Sequence, residues 1–186
     1  GLDKRIEGML FAAVERNPRL RGKLVSYDDS ETLKIPGVKK VFKIRMQVHA
    51  TFRDGVAVVA DNSWAAIQGK KALKVVWDDS GFEHLSSPEI SKRQIELLKE
   101  EEGLIYKKEG DPDKVIGAAA KKVDVIYQTP YQSHYAMEPV NCIAHYQENK
   151  IEIWGPLQAP DWMQESISKS FGLPLDAVTV NMTFLG

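Results

Sequence analysis

The sequence predicts an α+β fold, in which strands and helices follow each other irregularly and fall into two blocks. In the first block, the β-branched run Val56–Ala60 is followed by a helical pattern and by a strand pattern that ends at Trp77. In the second, beyond a polar Lys-Lys-Glu-Gly-Asp-Pro stretch at 107–112, strand patterns surround one amphipathic helix. We therefore expect one domain over residues 1–107 and the start of another over 108–186.

Composition and charge exclude several classes of protein. The 186 residues are 43% hydrophobic with a net charge of −1, which argues against a basic nucleic-acid surface or a polybasic membrane anchor. No apolar stretch approaches the roughly 20 residues of a membrane span. A single cysteine, Cys142, cannot form an internal disulfide, so the redox compartment stays open. Because the chain begins at Gly1 and closes on a strand pattern, we expect it to be a piece of a longer protein.

The first block is predicted to contain five strands and three helices. Apolar runs and alternation predict strands at 9–14, 23–27, 38–44, 56–60 and 73–77. Capping side chains predict helices at 28–35, 63–72 and 86–102. Asp61 or Asn62 is expected to cap the second helix. Since it lies between two strands, we expect a βαβ-like unit with a right-handed crossover.

The second block is predicted to contain two helices and four strands. Helices are predicted at 111–120 and 160–171, the latter with its C-cap at Gly172. Strands are predicted at 123–129, 140–147, 151–154 and 178–184. The three residues Glu148–Lys150 have the length of a hairpin loop between the second and third of these strands.

The densest cluster of polar and reactive side chains lies between Pro130 and Pro139, with neighbours up to His145. Prolines fix φ and disfavour helix before them, so this segment is predicted to be a rigid loop, where binding sites concentrate. The sequence has no dinucleotide-binding, P-loop, zincin, hydrolase-elbow or CxxC motif.

Two interpretations of this cluster follow from the residues alone. A metal site would use His134, Glu138, Cys142 and His145, but their spacing converges only on a helix, which Pro139 interrupts. Alternatively, the segment is a buried turn in which His134 and Glu138 satisfy backbone groups.

A third interpretation comes from resemblance. The string Pro-Tyr-Gln-Ser-His-Tyr-Ala-Met-Glu-Pro-Val-Asn-Cys-Ile-Ala at 130–144 resembles the H-x-x-M-E-P-x-N segment of molybdenum hydroxylase large subunits, the xanthine dehydrogenase and aldehyde oxidase family. Ile-Trp-Gly-Pro-Leu-Gln at 153–158 and Phe-Gly-Leu-Pro-Leu-Asp-Ala-Val-Thr-Val at 171–180 are similar to later family segments. Segments 8–14, 35–38, 55–65 and 73–78 resemble its α/β hammerhead domain. Gly-Met-Leu at 8–10 and Met-Glu-Pro-Val-Asn-Cys at 137–142 are most similar to the isoquinoline 1-oxidoreductase β-subunit type.

The resemblance implies a hammerhead domain over 1–107 and the first, β-rich part of a molybdopterin-binding domain over 108–186. It implies a molybdenum–pyranopterin cofactor in its cytosine dinucleotide form and hydroxylation of N-heteroaromatics or aldehydes with water. It also implies a small 2Fe-2S partner subunit that takes the electrons. The family's general base, a glutamate, would lie far downstream, so no catalytic residue is expected here. The excised piece is expected to be inactive and to bind no cofactor.

Four residues are expected to face the cofactor on the same resemblance: Gln132, His134, Glu138 and Gly186. Gln132 aligns with a glutamine beside an oxygen ligand of molybdenum, although a loop glutamine bonded to backbone stays an alternative. His134 and Glu138 are expected to brace the loop or to contact the cofactor. Gly186 would be the first glycine of a turn that approaches the pterin closely.

Other expectations concern single side chains. Trp154 and Trp162 are expected to pack in a core or between domains, and Trp64 and Trp77 are expected to be structural. Cys142 is expected to point into a core. Two rival functions are a non-catalytic scaffold of the same fold and a small stand-alone metal hydrolase. No nucleic acid and no membrane span are expected. The compartment stays open between the periplasm or cell envelope and the cytoplasm.

Overall fold

The computed structural model describes residues 3–19, 22–48, 51–82, 85–100 and 103–185. The chain divides into two compact units. One unit is Leu10–Tyr131, and the other combines Gly1–Met9 with Gln132–Gly186. The domain boundary expected between residues 107 and 108 stays a prediction.

The first unit contains two antiparallel sheets and three helices. Its elements are β1 (Phe11–Arg16), β2 (Lys23–Asp28), β3 (Val38–Val48), β4 (Thr51–Ala60), α1 (Ser63–Ala72), β5 (Lys74–Asp78), α2 (Ser87–Leu97) and α3 (Pro112–Ala118). One sheet has the order β1-β4-β3, and the other pairs β2 with β5. Asp28 is the last residue of β2, and hydrogen bonds from the hydroxyl and the N–H group of Ser30 lower its pKa. Asp78 ends β5, and the same two groups of Ser80 lower its pKa.

The core of this unit lies between β4 and α1. Val56 and Val58 on one face of β4 are fully buried, and Ala57 on the opposite face is 4% exposed, so β4 is covered on both sides as predicted. Ala65 and Ala66 of α1 pack near Ala60. These small side chains bring the helix close to the sheet.

The predicted βαβ unit is wrong in its pairing. Strand, helix and strand do follow in order, but β4 pairs antiparallel with β1 and β3, whereas β5 pairs antiparallel with β2. The two strands therefore belong to different sheets, and no parallel crossover connects them. The continuous apolar run indicated burial but carried no information about the pairing partner.

Two helix predictions for the first unit are also wrong in length. The helix expected at 28–35 is only a 3₁₀ turn at Thr32–Lys34, which Pro36 prevents from extending. The helix expected to reach residue 102 ends at Leu97, and residues 101 and 102 lie outside the described part. Where two caps were offered for α1, Asn62 is the one observed: its Oδ1 accepts from the Ala65 N–H at 2.8 Å.

The second unit is a three-stranded sheet with one crossing helix. Its elements are β6 (Ile143–Gln147), β7 (Lys150–Gly155), α4 (Pro160–Phe171) and β8 (Val178–Met182), with strand order β6-β7-β8. β6 and β7 form the predicted hairpin, closed by Glu148 and Asn149 at φ of 50° and 60°, which suits a type I′ turn. α4 leads to β8, which pairs parallel with β7. Gly172, at φ 65°, ends α4 in the left-handed conformation as predicted.

The strand predicted at 123–129 is wrong. The segment has no regular structure, and its apolar side chains are exposed, with Val123 at 86% and Tyr127 at 89%. The next strand begins at Ile143 rather than at residue 140. Alternation alone does not make a strand, and residues 123–129 pair with none of the described strands.

Three side chains that were expected to have packing roles are exposed in the described structure. Trp64 is 71% exposed and Trp162 is 70% exposed, so neither packs in a core of the described residues. Cys142 is a free, exposed thiol. Trp77 and Trp154 are half-buried. In the ranges that the structure covers, no helix has the length and apolar character needed to cross a membrane.

Candidate functional site at the carboxyl edge of the second sheet

The second sheet brings the polar cluster to one of its edges. β7 and β8 are parallel, so both carboxyl ends, at Gly155 and Met182, lie at the same edge. β6 runs antiparallel to β7 and therefore starts at that edge, where the segment 132–142 enters it. We call Asn141–Cys142, Gly155 and Thr183 the carboxyl edge. Ligands of open sheets with parallel strands bind outside such carboxyl ends.

Gly155, the last residue of β7, contacts the chain next to β6 and next to β8 at the carboxyl edge. Its carbonyl accepts a 3.0 Å hydrogen bond from the Thr183 N–H, just beyond β8. A Cβ on Gly155 would lie 3.4 Å from Cys142 Cβ and 3.7 Å from the Asn141 carbonyl oxygen. Alanine would fill this space and larger side chains would displace the incoming segment. Glycine therefore lets the segment pack directly on the end of β7.

Thr183 carries an unsatisfied buried group at this edge. Its Oγ1 is inaccessible to solvent and finds no hydrogen-bond partner among the described residues. A buried hydroxyl without a partner costs about 1–3 kcal/mol. A ligand atom that accepts or donates a hydrogen bond here would remove this cost. Thr183 is thus the polar group at the edge that most clearly lacks a protein partner.

The residues predicted from resemblance occupy the approach to this edge. Gln132 and His134 are exposed, and Glu138 is half-buried, all in a segment without regular structure. The Asn141 Nδ2 donates to the Pro139 carbonyl at 2.9 Å, which shapes the last turn before β6. Gly186 lies outside the described residues.

The metal-site interpretation gains no support. Among the residues that the structure describes, no three His, Cys, Asp or Glu side chains are grouped so that they could hold a metal ion. The set His134, Glu138, Cys142 and His145 is not brought together in this way. The segment that carries the first two of these residues is not helical, as expected before Pro139.

Thr183 and Gly155 were missed by sequence reasoning. A threonine after a strand is exposed in most proteins, and only the fold shows that this hydroxyl is buried. Gly155 had a weak signal, since a glycine followed by proline at a strand end marks a turn or a close approach. Asn181 adds a further tie across β7 and β8, donating from Nδ2 to Glu152 Oε1 at 2.9 Å.

Comparison with known families assigns the second part of the chain. Residues 98–186 match the family described as molybdopterin cofactor-binding domain. This match contains the whole carboxyl edge and the segment with Gln132, His134 and Glu138.

Individual proteins are similar over the whole chain. One is named membrane-bound aldehyde dehydrogenase (pyrroloquinoline-quinone), from Gluconacetobacter polyoxogenes, and is 30% identical over 100% of this chain and 24% of its own length. Isoquinoline 1-oxidoreductase subunit beta from Brevundimonas diminuta is 25% identical over 100% of this chain and 24% of its length. The crystal structure of quinoline 2-oxidoreductase from Pseudomonas putida 86 has a TM-score of 0.69 at 18% identity, covering 97% of this chain and 27% of that one. The chain thus spans about a quarter of the length of these proteins.

Proposed function

We propose that this chain, which belongs to the xanthine dehydrogenase and aldehyde oxidase family of molybdenum hydroxylases, forms part of an oxidoreductase that hydroxylates N-heteroaromatics or aldehydes with water. The observation that carries the proposal is the carboxyl edge, which lies within residues 98–186 of the molybdopterin cofactor-binding family. Relatives named as aldehyde oxidoreductase and xanthine dehydrogenase subunits support the oxidoreductase class.

The residues of this edge fit the chemistry of a molybdenum–pyranopterin cofactor. Such a cofactor presents hydrogen-bonding pterin and phosphate groups and, when bound, supplies water-based hydroxylation with uptake of two electrons. Thr183 offers a buried hydroxyl without a partner in the described structure, and Gly155 lets the segment that carries Asn141 and Cys142 pack beside it. Neutral donors of this kind bind anionic groups without adding charge.

Each predicted site residue has a proposed task. The Gln132 amide donates a hydrogen bond to an oxygen near the reacting centre, and its neutrality leaves the charge there unchanged. His134 and Glu138 hold the segment 132–142 in the shape that aims Gln132. Gly186 allows the backbone to approach the pterin. The general base is supplied from outside this chain.

The same proposal includes the form of the cofactor, the electron-accepting partner and the bounds of the two domains. The cofactor takes the cytosine dinucleotide form, and electrons leave through a small 2Fe-2S subunit. The hammerhead domain comprises residues 1–107, and the truncated cofactor domain comprises residues 108–186. Relatives named as subunits support an enzyme of several chains.

The first test is the metal and cofactor content of the natural protein purified with its partner chains. About one molybdenum per chain, with a pterin released on denaturation, is the expected result. One relative is named as a pyrroloquinoline-quinone enzyme. Pyrroloquinoline quinone is therefore measured in the same sample. Quinone without molybdenum would overturn the proposal in favour of a quinoprotein, and neither cofactor would favour the scaffold.

A pair of variants in the same natural protein tests the role of the carboxyl edge. Thr183→Val removes the buried hydroxyl and keeps the shape, so we expect weaker cofactor retention, measured as molybdenum left after dialysis. Thr179→Val, at an exposed threonine of β8, is the matched control and should retain molybdenum. Equal retention in both variants would exclude Thr183 from the site.

A further inference from the structure

A second candidate site lies in the first unit, on the β1-β4-β3 sheet. A surface cavity of about 320 Å³ opens there, with Arg16, Arg19 and Arg53 around Val14, Ile44 and Gly55. Asn17, Gly22, Met46 and Asp54 complete its lining. We infer that this cavity binds a small organic anion, a carboxylate or phosphate attached to an apolar body.

The strand register places two arginines on one face of the sheet. Arg16 and Ile44 both pair with Gly55, so their side chains lie on the same face as the Gly55 position. Arg53 is two residues from Gly55 on β4, and alternate strand residues share a face. The two guanidinium groups therefore flank the position where Gly55 lacks a side chain.

These two arginines have no acidic partner among the described residues. Within the part of the chain that the structure describes, neither Arg16 nor Arg53 forms an ion pair. Arg19 is only partly engaged, with its Nε 3.5 Å from Asp79 Oδ2. The planar guanidinium matches carboxylate and phosphate in two parallel hydrogen bonds.

The acidic residue of the cavity does not neutralise this charge. Asp54 is already balanced by Lys43 at 3.6 Å and Arg45 at 3.8 Å, and its Oδ2 accepts from the Leu24 N–H at 3.0 Å. Asp54 also alternates with Arg53 and Gly55 along β4, so its side chain belongs to the opposite face. Two positive charges thus remain uncompensated in the cavity.

The floor of the cavity is apolar, and its side chains pack closely over Gly55. Val14, Ile44 and Met46 line it beside Gly55. A Cβ on Gly55 would lie 3.2 Å from Ile44 Cγ1, 3.2 Å from Val14 Cγ1 and 3.1 Å from the Glu15 carbonyl oxygen. Ile44 and Val14 thus close over Gly55 and, with Met46, form an apolar floor beside the guanidinium groups, so the occupant is an organic rather than an inorganic anion.

The test is titration of the natural protein with benzoate, phenyl phosphate, acetate and inorganic phosphate by calorimetry. Saturable binding of benzoate or phenyl phosphate, about tenfold tighter than that of acetate or inorganic phosphate, is expected, and the tighter of the two identifies the head group. Arg16→Gln and Arg53→Gln should each weaken binding by about tenfold or more. Arg93→Gln, on α2 outside the cavity, is the matched charge control and should leave it unchanged.

A third variant separates the apolar floor from general electrostatics. Met46→Ala removes part of the apolar floor and should weaken the aromatic ligands by about fourfold while leaving inorganic phosphate unaffected. Absence of saturable binding by either aromatic anion, or equal loss in Arg93→Gln, would overturn the assignment. Thermal melting of every variant identifies any that fail to fold. The comparison of the four anions on the unchanged protein and on the variants that fold then decides whether the cavity binds an organic anion.

Discussion

Gly69 shows how a single hydrogen atom sets the packing of the first unit. A Cβ there would lie 2.7 Å from Cγ1 of the fully buried Val58 and 3.1 Å from Val38 Cγ2. Gly69→Ala gains about 1 kcal/mol of helix propensity but overpacks the core at a cost of about 1–3 kcal/mol. We expect net destabilisation, measured as a lower midpoint in urea unfolding.

Gly117 provides the opposite case on α3. Nothing lies within 4 Å of the position that its Cβ would take, and its φ is not positive. Gly117→Ala should therefore be neutral or stabilising by up to about 1 kcal/mol. Destabilisation by Gly117→Ala equal to that by Gly69→Ala would contradict the packing argument.

Two polar side chains at the start of α1, Asn62 and Asp61, are expected to stabilise the helix to different extents. The Asn62 side chain accepts from Ala65 N–H at 2.8 Å, whereas Asp61 makes an exposed ion pair with Lys39 at 2.9 Å. Asn62→Ala should cost about 1 kcal/mol of unfolding free energy, since a cap is lost. Asp61→Ala should cost at most about 0.5 kcal/mol, because exposed ion pairs contribute little. Chemical denaturation of the two variants compares them directly, and a larger loss in Asp61→Ala would refute the assignment of the cap.

Local signals predicted the elements better than their partners. The caps at Asn62 and Asp111, the hairpin turn and the glycine after α4 each depend on neighbouring residues, and all were readable from sequence. Which strand β5 pairs with depends on residues about 50 positions away, and periodicity carries no such information. The strand expected at 123–129 failed for the same reason.

Sequence likewise predicted one part of the candidate site and missed the other. A short motif indicated the segment with Gln132, His134 and Glu138, but nothing local indicated that the Thr183 hydroxyl is buried. That property arises only when β8 pairs with β7 beside Gly155. Sequence can thus identify a segment rich in functional side chains, whereas the groups left without partners become visible only in the folded sheet.

For the whole molecule, the contrast between β4 and the segment 120–140 predicts how amide hydrogens exchange. β4 is hydrogen-bonded on both sides and buried, whereas among the described residues no hydrogen bond between two backbone groups involves 120–140. In the isolated chain, we expect the slowest exchange in β4 and exchange at nearly unprotected rates in 120–140, measured by mass spectrometry. In natural protein loaded with molybdenum, residues 132–140 should become protected, because a bound cofactor would order the approach to the carboxyl edge. Protection that is the same with and without molybdenum would place the cofactor elsewhere, whereas protection confined to the loaded protein would tie this segment to it.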